Sequence, residues 1–436
     1  MVQRIDRVAV IGAGTMGSGI AALCAEAGCT VRLLDVSADL AARAVARMGE
    51  GRAPMLDDAA AAERITTGAI EPDLALIGDA DWVCEAVIED LATKRRLFER
   101  IEGARKDGAV LSTNTSGIPL RAITEGMPAR LRRDIAVTHF FNPVKVMKLL
   151  ELVPGADTRR EVVDTLAAFC TERLGKGVVH GKDTVNFIAN RIGCFWMLAG
   201  LHHGEAARRE GLAVEEIDAL LSGPFGIPST GLYGLLDLVG LDVMDLVARN
   251  LAANLPPNDA GRAIASLPPA EQAMVARGQI GRKAGAGFYR MQKGPDGSRI
   301  KEVFEPADES WRPARPVELA PAHRDAASLL FADDAAGRLA WAVMGGTLAY
   351  AADLVPEIAD DIVNVDRAMR WGFNWADGPF ELLDRLGPAG VASRIEAAGE
   401  PVPHMLRVLR RAGAERFYRD GREQLGPDGA FHPVPK

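Results

Sequence analysis

The chain has 436 residues, 48% hydrophobic and 25% charged, with a net charge of −8. This length exceeds one ordinary core and predicts two to four domains. A mildly acidic chain without a basic tract argues against nucleic acid as a main partner, and its apolar runs fall short of the roughly 18 residues of a membrane span.

The N-terminal MVQRIDRVAVIG runs almost at once into a strand, which leaves no room for a signal peptide and predicts a cytoplasmic protein. Up to about residue 153, RVAVIG, TVRLLD, WVCEAV, AVLSTNT, IAVTHFF and KLLELV read as strands, with GSGIAALCAEAG and TKRRLFERIEGARK as amphipathic helices between them. That alternation predicts an α/β fold, a Rossmann-like doubly wound parallel sheet. Its first turn carries GxGxxG as Gly12, Gly14 and Gly17, between a strand and a helix. Gly12 permits the tight turn, Gly14 lets the backbone approach a pyrophosphate, and Gly17 lets the helix sit close to the strand. Thr15 and Met16, inside the loop, are counted with the cofactor site. Asp35 closes the next strand, where a carboxylate accepts from ribose hydroxyls and repels a 2′-phosphate, so NAD is expected rather than NADP.

A nicotinamide cofactor implies hydride transfer, which needs a base for the substrate's hydroxyl proton. Of His139, His180, His202, His203, His323, His404 and His432, only His139 follows a core strand of the first domain, at the edge where such folds bind ligands. Glu151 interrupts the apolar run KLLELV, where a buried carboxylate needs a partner, and an imidazole would serve. The competing reading is a loop histidine and a solvent-facing strand carboxylate. Cys24, Cys29, Cys84, Cys170 and Cys194 show no metal spacing and read as reduced core residues, so no metal is expected.

After about residue 184 long helical stretches dominate. The expected domains are 1–184 (dinucleotide), 185–290 (first helical block), 291–328 (a Pro- and charge-rich linker) and 329–436 (second helical block). IDALLSGPFGIPSTGLYGLLDLVG aligns with VDRAMRWGFNWADGPFELLDRLG, matching Asp218 to Asp366, Gly231 to Gly378 and Asp237 to Asp384. AGAGFYR likewise echoes AGAERFYR. Two related all-α domains follow, the second packing on the first as a dimer partner would.

GAGTMGSGI, EAVIEDLATK, STNTS, HFFNP with a glutamate twelve residues beyond its histidine, and KDTVNFIANR together resemble the L-3-hydroxyacyl-CoA dehydrogenase family, from about residue 6 to the end. The doubled helical block resembles that of multifunctional members, often fused to an enoyl-CoA hydratase or associated with a thiolase. The resemblance implies NAD-dependent oxidation of an L-3-hydroxyacyl-CoA to the 3-oxoacyl-CoA in fatty-acid β-oxidation; the internal helical repeat predicts a monomer or weak dimer. It implies His139 as general base with Glu151 its partner, Ser116 and Asn190 at the substrate, and Asn142 supporting His139. Glu89 and Lys94 match residues near the nicotinamide ribose, and Asn114 is counted with the cofactor site. Val185 replaces the proline of KDTPxFIxNR, which loosens the turn before Asn190. Arg43, Arg47, Arg52 and Arg64 stand where many relatives carry lysines, positions that could meet CoA phosphates or simply be solvated. The alternatives are a dehydrogenase of a free hydroxy acid or sugar acid, and a non-catalytic dinucleotide-binding scaffold.

Overall fold

The computed structural model describes residues 3–51 and 54–435. They divide into two units, one of residues 1–188 with 357–360, the other of 189–356 with 361–436.

The first unit is built on an eight-stranded sheet of order β3-β2-β1-β4-β5-β6-β7-β8. Its strands are β1 (Arg7–Ile11), β2 (Thr30–Asp35), β3 (Ile65–Ala69), β4 (Trp82–Glu85), β5 (Val110–Thr113), β6 (Ile135–Phe140), β7 (Leu149–Pro154) and β8 (Gly177–His180). The central strands are buried along their whole length, as continuous apolar runs covered on both faces must be. One core packs Ile20, Cys24 and Phe169 on one face, and a second packs Phe98, Ile101 and Ile123 on the other. All five cysteines are free and buried.

The sheet departs from the all-parallel expectation at one place: β6 and β7 run antiparallel. Only eight residues, 141–148, join them, and a connection that short makes a hairpin rather than a helical crossover. β3 and β8 are further strands that the apolar pattern did not reveal. β3 reads ITTGA and β8 reads GVVH, both too short and too mixed to stand out. The helix α1 (Thr15–Glu26) starts from Gly14 without a side-chain cap. The helix α2 (Leu91–Ala104) is capped by Asp90 and buries Lys94, Leu97, Phe98 and Ile101 along one stripe, the spacing of a core-facing helix. Lys94 is the charged member of that stripe.

The second unit begins with α3 (Ala189–Arg209), which buries Ile192, Trp196 and Ala199 among others. The sheet unit therefore keeps residues 185–188, because Phe187 belongs to its core. Asp218 accepts from Tyr233 N at 2.7 Å and from the Tyr289 hydroxyl at 2.7 Å, and Asp237 accepts from Phe288 N and Tyr289 N. The same bonds recur in the second block. Asp366 accepts from Phe380 N at 2.8 Å and the Tyr418 hydroxyl at 2.6 Å, and Asp384 from Phe417 N and Tyr418 N. Gly231 and Gly378 serve both copies alike, since a Cβ on either would come within 2.5 Å of the aspartate side chain.

Neither block is purely helical. Residues 289–313, which overlap the first part of the stretch 291–328 expected as linker, form three antiparallel strands, β9 (Tyr289–Lys293), β10 (Arg299–Glu305) and β11 (Ser310–Pro313). The tight turn at Asp296-Gly297 and the packing of Phe304 on Trp311 hold them. A matching three-stranded sheet, β12 (Tyr418–Arg419), β13 (Glu423–Leu425) and β14 (Phe431–Pro433), begins within the second FYR. No described helix is long and apolar enough to cross a membrane.

Candidate active site

β1, β4, β5 and β6 all run parallel, so their C-terminal ends share one sheet edge. Gly12 follows β1 with φ +108°, and a Cβ there would lie 2.4 Å from Ala86 O. Gly17 crosses the loop so closely that a Cβ would fall 1.8 Å from Gly12 O, whereas Gly14 faces open space. Asp35, at the end of β2, accepts from Ala13 N at 2.5 Å and Val36 N at 2.7 Å, which turns its carboxylate toward the loop. Gly12, Gly14, Asp35, Ile70, Val87 and Leu97 line a cleft of about 550 Å³. An uncapped helix start, a glycine open to the cleft and a carboxylate beside the loop fit a dinucleotide with free ribose hydroxyls. Thr15 is exposed and Met16 half-buried at that helix start. Among the described residues no cluster could hold a metal ion.

His139 sits near the end of β6 and Glu151 on β7, and the antiparallel register sets them directly opposite each other. Their side chains meet at 2.6 Å, His139 Nδ1 to Glu151 Oε2, both buried. A carboxylate only accepts, so Nδ1 carries the proton and Nε2 presents its lone pair. The other carboxylate oxygen accepts from Ile188 N at 3.0 Å. Phe141 and Phe187 pack on the imidazole, with ring centroids 4.5 and 5.8 Å away.

A second network lies beneath the loop after β5. Glu85, fully buried at the end of β4, accepts from the Lys94 ammonium at 2.8 Å, the Thr113 hydroxyl at 2.6 Å and Val87 N at 2.7 Å. Lys94 also pairs with Glu89 at 3.2 Å. Burial works against the charge on Lys94, yet the two glutamates prevail and its pKa is raised. Burial likewise opposes the charge on Glu89, but Lys94 and hydrogen bonds from Thr115 and Ser116 N hold its carboxyl below the ordinary range. Glu89 thus fixes the backbone of Ser116, whose side chain is exposed and makes no hydrogen bond among the described residues. Asn114 accepts from Phe140 N at 2.9 Å, tying this loop to the strand of His139.

The structure therefore brings Ser116, Glu89, Lys94 and Asn114 into one connected system, and His139 with Glu151 into another. Asn142 is exposed and its side chain makes no hydrogen bond to His139; the support beside His139 comes from Asn114. Asn190 stands in the first turn of α3, in the other unit. Glu85 escaped the sequence reading, although the signal that exposed Glu151 was there: a carboxylate interrupting an apolar strand, WVCEAV. Val185 is buried, and the turn after it holds both Asn186 (φ 60°) and Phe187 (φ 52°) in the left-handed region. Arg43 and Arg64 are exposed, and Arg47 lines a cavity of about 390 Å³ with Gly14, Thr15 and Ser18. Arg52 lies outside the described residues.

Comparison with known proteins agrees with this geometry. Residues 7–184 match the family model for the NAD binding domain of 3-hydroxyacyl-CoA dehydrogenase, and residues 187–291 match its C-terminal domain. A probable 3-hydroxyacyl-CoA dehydrogenase of Bacillus subtilis is 34% identical over 452 residues, covering 96% of this chain and 56% of that protein. One of Deinococcus radiodurans is 36% identical over 318 residues, covering 71% of this chain and 90% of that protein. Among solved structures, 3-hydroxybutyryl-CoA dehydrogenase from Escherichia coli superposes with a TM-score of 0.71 and 26% identity, covering 95% of this chain and 99% of that one. The chain spans about half the length of the curated relatives that match it almost end to end.

Proposed function

The chain belongs to the 3-hydroxyacyl-CoA dehydrogenase family, and we propose that it oxidises an L-3-hydroxyacyl-CoA to the 3-oxoacyl-CoA with NAD, in fatty-acid oxidation. The observation that carries this reading is the buried His139–Glu151 pair on the sheet edge that also holds the dinucleotide loop.

When bound, NAD supplies the acceptor for the hydride that leaves C3. The chain's own residues handle the proton and the charge. His139 takes the hydroxyl proton at Nε2, because Nδ1 already carries one for Glu151. The Glu151 carboxylate stabilises the imidazolium that results, and Ile188 N keeps that carboxylate in place. Ser116, its backbone fixed by Glu89, offers its hydroxyl to the developing 3-oxygen, and Asn190 offers its amide. Gly12, Gly14, Thr15, Met16, Gly17 and Asp35 hold the nucleotide, with Glu89, Lys94 and Asn114 shaping the loops around its reactive end.

The second helical block stands in for a partner subunit on this reading, leaving a monomer or weak dimer in the cytoplasm. Its companions would be an enoyl-CoA hydratase or thiolase. Gel filtration with multi-angle scattering tests the monomer.

The decisive experiment follows NADH oxidation with acetoacetyl-CoA in the wild type and in His139→Gln. The variant should lose most of kcat while NADH binding, read by fluorescence titration, persists. Near-wild-type turnover would remove His139 as the base. Faster turnover with free hydroxy acids in a parallel assay would favour the alternative substrate class.

A further inference from the structure

The segment KDTVNFIANR, Lys182 to Arg191, is tied at both ends to residues of the second helical block. At its start, Lys182 N donates to Ile358 O at 2.9 Å and the Lys182 ammonium pairs with Asp360 at 2.6 Å. Ile358 and Asp360 belong to 357–360, the short piece of that block that joins the sheet unit. At its end, Arg191 donates through Nε to the Tyr350 hydroxyl at 2.5 Å and pairs through Nη2 with Asp259. Tyr350 closes the triangle by donating to Asp259 Oδ1 at 2.8 Å. Arg191, Tyr350 and the side chain of Asp259 are buried, and the ring of Phe195, one turn along α3, stacks on Tyr350 at 4.2 Å.

Between these ties lies everything the segment contributes to the site: the left-handed pair Asn186 and Phe187, the Ile188 N–H on Glu151, and Asn190. Two successive non-glycine residues at positive φ persist only where their surroundings hold them. Val185 supplies no local restraint of the kind a proline ring would. Core packing of Phe187 restrains the middle of the segment, and the two ties restrain its ends. A buried guanidinium shared by a phenol and a carboxylate is directional and charge-assisted, so it fixes the helix start as well as its position. Removing the phenol oxygen leaves the Arg191 Nε without that acceptor, which costs more than the bond itself.

We propose that the second helical block is a positioning clamp on this segment, with Tyr350 the positioning residue that acts through Arg191 on Asn190 and, through Ile188, on Glu151. The kinetic consequence rests on the dehydrogenase reading; the conformational one does not. Tyr350→Phe keeps the ring and its stack and removes only the hydroxyl. Relative to the wild type, kcat with acetoacetyl-CoA should fall about tenfold, amide exchange in a peptide spanning 183–192 should accelerate by a similar factor, and the NADH dissociation constant should stay unchanged. Trp375→Phe disturbs another contact between the two blocks, the edge-on packing on Trp196, and leaves both ties intact. It should lower the melting temperature without changing exchange in 183–192. Wild-type exchange there in Tyr350→Phe, or equal acceleration in Trp375→Phe, overturns the clamp. A wild type inactive toward acetoacetyl-CoA overturns the dehydrogenase reading, while the exchange comparison still decides the clamp.

Discussion

Replacing Glu151 by Gln changes one atom and sets two demands against each other. The carboxylate has two acceptor oxygens, one for His139 Nδ1 at 2.6 Å and one for Ile188 N at 3.0 Å. An amide has one. If its oxygen serves Ile188, the NH₂ faces Nδ1, the ring proton moves to Nε2, and the base nitrogen is blocked. If the oxygen serves His139, the NH₂ meets the Ile188 N–H, and a buried donor goes unsatisfied at a cost of about 1–3 kcal/mol. In either arrangement the imidazolium loses its counter-charge, worth about 4 kcal/mol at a separation of ~4 Å and an effective dielectric of ~20. The lost counter-charge is the part that enters the barrier, and about 4 kcal/mol corresponds to a fall in kcat of about 10³. The assay is NADH oxidation with acetoacetyl-CoA, with NADH binding measured on the same protein. A kcat within tenfold of wild type, with binding intact, would refute the tautomer argument.

Other consequences can be checked separately. Lys94→Met strands Glu85 in the core without its cation and should destabilise the protein by about 3–5 kcal/mol; a urea-unfolding loss below about 1 kcal/mol would show that Glu85 has other compensation. Gly17→Ala drives a Cβ into Gly12 O and should cost both melting temperature and NADH binding. Gly14→Ala, with no protein atom within 4 Å, should keep the melting temperature and weaken NADH at least about tenfold, because the methyl occupies the pyrophosphate's approach. Burial pushes the Asp218 carboxyl up to about 7, against opposing hydrogen bonds from Tyr289 and from the backbone of Tyr233. Its folded pKa lies above the unfolded one, so its contribution is complete below about pH 4 and is lost as pH rises to about 7. Asp218→Asn should therefore flatten the fall of unfolding free energy over that window, by up to about 1.4 kcal/mol per pH unit. Parallel curves for the two proteins would contradict the shift.

Much of the site was legible because its signals are local. The glycine loop, Asp35 and the order of strands and helices follow from period, turn chemistry and spacing over a few dozen residues. His139 emerged because it ends a core strand, and Glu151 because a charge in KLLELV needs a partner. Glu85 offered the same cue and was passed over, since no histidine nearby called attention to it; its partner Lys94 faces inward from a helix. The three strands at 289–313 were hidden by proline and charge, although Asp296-Gly297 marked the turn. The duplicated block announced itself through Asp218, Gly231 and Asp237.

The sequence by itself determined the local elements, the dinucleotide loop and which residues had the chemistry to act as base and partner. Only the tertiary structure decided that β7 runs antiparallel to β6, which makes His139 and Glu151 direct neighbours at 2.6 Å. It alone showed that Lys182 and Arg191 are held by Ile358, Asp360 and Tyr350. The physical reason is the range of the interactions. Propensity and periodicity act between residues a few positions apart, whereas strand direction and buried ion pairs depend on which distant surfaces exclude water together.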